Sequence, residues 1–257
     1  MDETSDRGEA GGSPGPAEAA VSVRRRRWTA VVLVACAAIV CLLLSWTAEE
    51  IWEAVVERTG IFHLDVAVHD WFAQHRIPAA TVPLVVLSII GGQLAMPVLV
   101  GALTLLLCRL RSSWQPLVFV AIAAAGSLSM TSIGKEALGR ARPPFEQAVP
   151  PLESSASFPS GHSLNSLVLV LMLLALAWPV LRGRGARLAA AAGASLFVLA
   201  MGFSRVYLGH HWPSDVLAAW LLGAAWLLSL LVARHVWLGE RQLRRERRAR
   251  AARPPGP

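Results

Sequence analysis

Six blocks of almost uninterrupted apolar residues run through the chain, at 28–47, 94–110, 115–134, 163–181, 186–203 and 216–237. Each is close to the length an α-helix needs to cross a hydrocarbon core of roughly 30 Å. Inside that core every backbone N–H and C=O must be satisfied, which leaves helices or a closed barrel of alternating strands. These blocks do not alternate. The chain is therefore read as all-α, an integral membrane bundle of six transmembrane helices. Composition agrees, because only 16% of the residues are charged, against about a quarter in a soluble domain.

Charge then orders the chain along the membrane normal. The net charge is +7, yet Arg24 to Arg27 carry +4 and residues 241–253 carry +6, so the rest of the chain is slightly acidic in sum. Those segments share one side of a six-span arrangement with Arg109, Arg111, Arg182, Arg184 and Arg187. By the positive-inside rule that side is cytoplasmic. Both termini are then expected in the cytoplasm of a cell whose plasma membrane holds the protein. Anionic lipid headgroups are the expected contacts of the basic segments, and no nucleic-acid partner is expected. Residues 1–23 and 241–257 read as disordered tails around a membrane domain at 24–240. A signal peptide is rejected for 28–47, which is long and flanked by Trp28 and Trp46 as interfacial anchors.

Between the first two blocks, residues 61–76 read as an amphipathic helix at the interface. Its histidines, His63, His69 and His75, are six apart and so do not share a face as i, i+4 metal ligands would. Gly91 and Gly92 divide a short leading helix from the second span. Cys36, Cys41 and Cys108 all lie in apolar runs without metal or disulfide spacing, and read as packing residues.

Three polar clusters fall on the outer side, where Lys135, Arg140 and Arg142 break the charge rule. In "KEALGRARPP" (135–144), Lys135 and Arg142 are two helical turns apart. Pro143 disfavours helix at Arg142, where the chain departs. In "SFPSGHS" (157–163), Pro159 and Gly161 shape a turn and Ser160 suits a helix N-cap. The N–H groups near Gly161 and His162 would favour an anion. In "SRVYLGHHWPSD" (204–215), Arg205 ends the fifth span and Pro213 suits the start of the sixth. His211 stands four residues before Asp215, close enough for the carboxylate to accept a ring N–H and fix the tautomer. Each cluster alone has a blander reading: snorkelling lysine and arginine, a capped helix, or a loop histidine. Zinc lacks a third ligand at suitable spacing.

Jointly they are hard to explain as scaffold. Cations, a helix N-terminus and two histidines at the ends of spans suit an anion with several oxygens, and phosphate fits best. Phosphoryl chemistry needs one neutral histidine as nucleophile and one protonated histidine to serve the leaving oxygen. His211, with its carboxylate partner, suits the first role and His162 the second.

The pattern resembles the type 2 phosphatidic acid phosphatase superfamily. Its three-part signature reads here as Lys135-x6-Arg142-Pro143, Pro159-Ser160-Gly161-His162 and Ser204-Arg205-x5-His211-x3-Asp215. The resemblance covers about 135–215 closely and 28–237 loosely. It implies a six-helix core and catalysis through a phosphohistidine, with no metal and no cofactor. Lys135, Arg142 and Arg205 would hold phosphate oxygens, assisted by Ser160 and the Gly161 amide. His211 would be the nucleophile, Asp215 its orienting partner and His162 the general acid. The expected substrate is a lipid phosphate or diphosphate at the outer leaflet. Undecaprenyl diphosphate, phosphatidate and phosphatidylglycerol phosphate are the candidates. Transfer of the phosphoryl group to another acceptor is one alternative, and a non-catalytic lipid-phosphate binder or transporter is another. Sequence alone leaves the particular lipid and the oligomeric state open.

Overall fold

The computed structural model describes residues 16–251, and those residues contain helices and no strand. Eight α-helices follow one another: α1 (Pro16–Val56), α2 (Ile61–His75), α3 (Pro78–Ile90), α4 (Ala95–Leu110), α5 (Gln115–Leu138), α6 (Gly161–Ala177), α7 (Gly183–Tyr207) and α8 (Pro213–Ala251). The described residues divide into two compact units, residues 37–233 and the segments 16–36 with 234–251.

The six apolar blocks fall mainly in α1, α4, α5, α6, α7 and α8. Four of these, α1, α5, α7 and α8, are long and apolar enough to cross a membrane; the bent pair α2 and α3, turned by 119°, makes a fifth if it counts as one span. The six expected spans therefore map onto helices of unequal length. Helix α4 has 16 residues and α6 has 17, and at 1.5 Å per residue the latter covers only about 26 Å. The fourth expected span, 163–181, stops early because Pro179 cannot donate to the helical ladder.

The tails also differ from expectation. Residues 16–23 form the first turns of α1, and residues 241–251 continue α8. The first segment is rich in Ala and the second in Arg, both good helix formers. Residues 1–15 and 252–257 lie outside the described residues. In the smaller unit, the Arg241 guanidinium sits 3.9 Å from the Trp237 ring centroid.

In the larger unit α6 is the central helix. Leu164, Val168, Met172 and Leu176 repeat every four residues and are fully buried, so one whole stripe meets protein. It packs mainly between α5 and α7, with α4 alongside. Lipid tails are as apolar as leucine, so such packing rests on close contact and small residues. Helix α5 supplies Ala123 and Ala124 for this, and Trp226 of α8 donates to the Ala123 carbonyl at 3.2 Å.

The α2–α3 corner is tied to the end of α7. Arg76 Nε donates to the Tyr207 carbonyl at 2.8 Å, and the Ile77 amide donates to the Tyr207 hydroxyl at 2.9 Å. As the Gly91–Gly92 pair suggested, α3 ends at Ile90 with Gly91 as its C-cap, and a short break precedes α4.

Candidate active site

The polar residues gather where α5 and α7 end and α6 and α8 begin. Helix α5 runs past residue 134 to Leu138, which puts Lys135 on its last turn. Its Nζ donates to Ser155 Oγ at 2.7 Å. The chain then turns at Gly139 and enters the loop 139–160. The loop folds back on α5 at Gly134, where an added Cβ would stand 2.6 Å from Pro159 Cδ. Only glycine admits that approach, which seats the Pro159–Gly161 turn.

Arg142 lies in this loop, because α5 already ends at Leu138 with Gly139 as its cap and not at Arg142 as expected, and it becomes the hub of the loop. Its Nε donates to the Ser155 carbonyl at 2.6 Å and its Nη2 to Glu153 Oε2 at 2.8 Å. Its Nη1 donates to the His210 carbonyl and lies 3.2 Å from His211 Nε2. Arg205, 1% exposed at the end of α7, donates to Ser88 Oγ of α3 and to Glu153 Oε1. His162, on the first turn of α6, has Nδ1 3.6 Å from the same Glu153 oxygen. One carboxylate thus lies among Arg142, Arg205 and His162.

The segment after α7 is set by Gly209, whose φ is +77° and where a Cβ would meet Arg76 Nη2 at 2.8 Å. Past that left-handed turn the His210 and His211 amides both donate to the Arg205 carbonyl, at 3.0 and 3.1 Å. His211 is buried, with Nδ1 3.3 Å from Asp215 Oδ2. The Trp212 amide and the Ser157 hydroxyl also donate to that Asp215 oxygen. Ser157 Oγ lies 3.4 Å from His211 Nδ1. The carboxylate and hydroxyl therefore surround Nδ1, and Nε2 points toward Arg142.

Ser160 occupies the N-cap position of α6 but makes no side-chain cap bond, against the expectation from its residue type. Its hydroxyl is buried against Ser163 Oγ at 2.9 Å, and its amide donates to the Asp215 carbonyl at 3.2 Å. Gly161 begins α6 and has Thr131 of α5 beside it. All eight residues singled out by the motifs (Lys135, Arg142, Ser160, Gly161, His162, Arg205, His211 and Asp215) fall in this one region.

The fields here are strong. Burial alone would raise the Glu153 pKa, but Arg205, His211, His162 and Arg142 outweigh it and bring it down to about 2. Burial, then the Arg142 and Arg205 charges, hold His211 well below the usual imidazole range. Burial and Arg205 lower His210 to about 4. Burial lowers Arg142 as well. His211 is consequently neutral at pH 7, and Glu153 is ionised.

Two cavities meet at this cluster. One, of about 650 Å³, is mostly apolar and runs between α4, α5 and α6 past Val100, Val120 and Leu128 to Lys135 and His162. The other, of about 590 Å³, opens beside Ser88, Gln93, Ser154 and Arg205. Glu153, Ser155 and His162 line both.

Sequence reasoning missed Glu153, Ser155, Ser157 and Ser88, and left Arg140 and Asp65 without roles. Ser157 was inside a quoted motif. Asp65 carried a readable signal, an acid four residues before His69 on the helix face that proves buried. The helix expected over 61–76 is present as α2. Its histidines go to separate partners, His69 Nε2 to Gln147 Oε1 at 2.7 Å and His75 Nδ1 to the Trp71 carbonyl at 2.7 Å.

Residues 113–238 match the model of the PAP2 superfamily. A phosphatidylglycerophosphatase B of Bacillus subtilis (strain 168) is 34% identical over 116 residues, 44% of this chain and 55% of the relative. An undecaprenyl-diphosphatase of Sulfolobus acidocaldarius is 34% identical over 84 residues, 32% of this chain and 35% of the relative. The chain spans about half, or less, of the length of these curated relatives. Among solved structures, a transmembrane PAP2-type phosphatidylglycerolphosphate phosphatase from Bacillus subtilis superposes with a TM-score of 0.66 at 25% identity. That match covers 76% of this chain and 94% of the other.

Proposed function

We propose, from the premise that residues 113–238 belong to the PAP2 superfamily, that the chain is a membrane phosphatase acting on a lipid phosphate or diphosphate. The observation that carries this reading is the Glu153 carboxylate clasped by Arg142 and Arg205 at the head of an apolar cavity. A carboxylate in a fork of two guanidinium groups marks a place for an oxyanion. The apolar cavity offers the attached lipid chain a route from the bilayer. The relatives' names, phosphatidylglycerophosphatase and undecaprenyl-diphosphatase, support the same substrate class.

In this reading the substrate phosphoryl group takes the place of the Glu153 carboxylate. Arg142 and Arg205 hold two of its oxygens, with Lys135 beside them and Ser160 and the Gly161 amide at the helix N-terminus. Asp215 holds the Nδ1 proton of His211, which leaves the Nε2 lone pair for phosphorus. The Nε2–P bond forms as the bond from phosphorus to the lipid oxygen breaks, and His162 gives that oxygen a proton. Water then attacks the phosphohistidine, His162 takes back a proton, and phosphate leaves. The polar cavity beside Ser88 and Gln93 would admit the water.

The arginine-rich ends belong on the cytoplasmic face of the plasma membrane, near anionic headgroups, and the site on the opposite face. The test is phosphate release by purified protein from phosphatidate and undecaprenyl diphosphate in detergent with EDTA present. Release above the uncatalysed rate is expected. Lipid binding without release would favour a non-catalytic binder.

A further inference from the structure

Behind Asp215 lies a second layer of charge that the motif residues do not include. Asp65 of α2 is fully buried. Its Oδ1 accepts the Ser214 amide at 2.8 Å, and its Oδ2 accepts the Ser214 hydroxyl at 2.5 Å. Arg140, with its side chain 7% exposed, bridges the two carboxylates: Nη2 lies 2.7 Å from Asp65 Oδ2, and Nη1 donates to Asp215 Oδ1. Nη1 also donates to Ser214 Oγ at 2.8 Å. The Arg140 guanidinium stands 5.6 Å from the Trp212 ring. Every buried oxygen of both carboxylates therefore has a donor, and Asp215 keeps Oδ2 for the His211 side.

We infer that Asp65 and Arg140 are positioning residues for the reaction proposed above, acting on His211 through Asp215. Two effects support this. First, the fork fixes Oδ1 of Asp215 so that Oδ2 stays aimed at His211 Nδ1. Second, the two carboxyl groups of Asp65 and Asp215 share the single Arg140 guanidinium in a dry setting. As Nε2 bonds to phosphorus the His211 ring becomes cationic, and that charge then has its counterpart in place. Fixed charge of this kind is worth most where water is excluded. A purely structural ion pair would require no such coupling to His211. Buried pairs generally give little net stability for the cost of removing them from water.

The inference rests on the phosphatase reading, and its test separates the two. Full-length wild-type protein is assayed for phosphate release from phosphatidate in detergent. Asp65→Asn is then assayed alone and in the Asp215→Asn background, at enzyme concentrations that keep residual rates measurable. Asp65→Asn places an amide N–H against Arg140 and should lower kcat about thirtyfold with KM within about twofold. If it acts through Asp215, it should remove no more than about threefold further once Asp215 is Asn. Equal losses in both backgrounds, or unchanged kcat in the single variant, would overturn the inference and leave the phosphatase reading standing. A wild type that releases no phosphate would overturn both. Arg140→Lys keeps the buried charge but cannot hold both carboxylates. It answers the same question, with the same expected non-additivity, where Asp65→Asn does not accumulate as folded protein.

Discussion

Glu153 and Arg205, 52 residues apart in the chain, are joined by an ion pair in which the guanidinium is 1% exposed and the carboxylate 26% exposed. The arginine cannot leave, because α7 and Ser88 hold it. The glutamate sits on a loop and lines both cavities. Any phosphoryl group that uses Arg205 must therefore displace Glu153.

Removing that internal competitor should strengthen anion binding. Glu153→Gln is expected to tighten competitive inhibition by inorganic phosphate about tenfold, near 1.4 kcal/mol. Inhibition constants measured with phosphatidate as substrate check this. An unchanged constant would mean that Glu153 and the anion occupy different places.

Asp215→Asn tests the tautomer. An asparagine can present its amide N–H to His211 Nδ1, which then accepts, leaving the proton on Nε2. The expected loss is about a hundredfold to ten-thousandfold in kcat, as elsewhere when a histidine's orienting aspartate is lost. KM should hold nearly constant, since Asp215 touches Arg140, Ser157 and Trp212 rather than the oxyanion place.

The pH dependence follows from signs. His211 must be neutral to attack, and its pKa lies well below 6.5 through burial and the Arg142 and Arg205 charges. Its limb of the rate profile is lost only as pH falls through that depressed value. Activity should consequently show no loss between pH 7 and 6 from His211. The alkaline limb comes from His162, which must carry a proton, so the rate falls as pH rises through its value in the complex. A kcat/KM profile with an acid limb centred on the ordinary histidine value would contradict the assignment.

The apolar cavity makes a prediction about chain length. Ala121→Trp places a bulky ring in the cleft between α4, α5 and α6, about 20 Å along α5 from Lys135 by helical rise. It should raise KM for long-chain phosphatidate several-fold, about 1 kcal/mol of lost apolar contact. Hydrolysis of a water-soluble phosphate ester should stay unchanged. Equal losses on both substrates would move the lipid route elsewhere.

Much of this architecture was legible because membrane helices announce themselves by apolar length, and helix ends by Gly, Pro and charge. Lys135, His162 and His211 each stood at the end of an apolar block, so their meeting followed from antiparallel packing. Glu153 was hidden by its setting. The loop 139–160 has no period, and an acid among prolines and serines reads as solvated. Asp65 was hidden differently, since its partner Ser214 lies 149 residues away and only the folded bundle brings α2 to the start of α8. The shorter α4 and α6 were missed as such because hydropathy marks what can be buried, without saying whether lipid or protein covers it. For α6 it is protein, on nearly every side.

The most direct measurement is to find the phosphoryl group on the enzyme. Protein incubated with phosphate-labelled phosphatidate and quenched within a turnover in alkali should carry label on the peptide containing His211. The bond should be alkali-stable and acid-labile, and His211→Ala should show neither label nor phosphate release. Label on another residue, or turnover retained in His211→Ala, would contradict a nucleophilic His211.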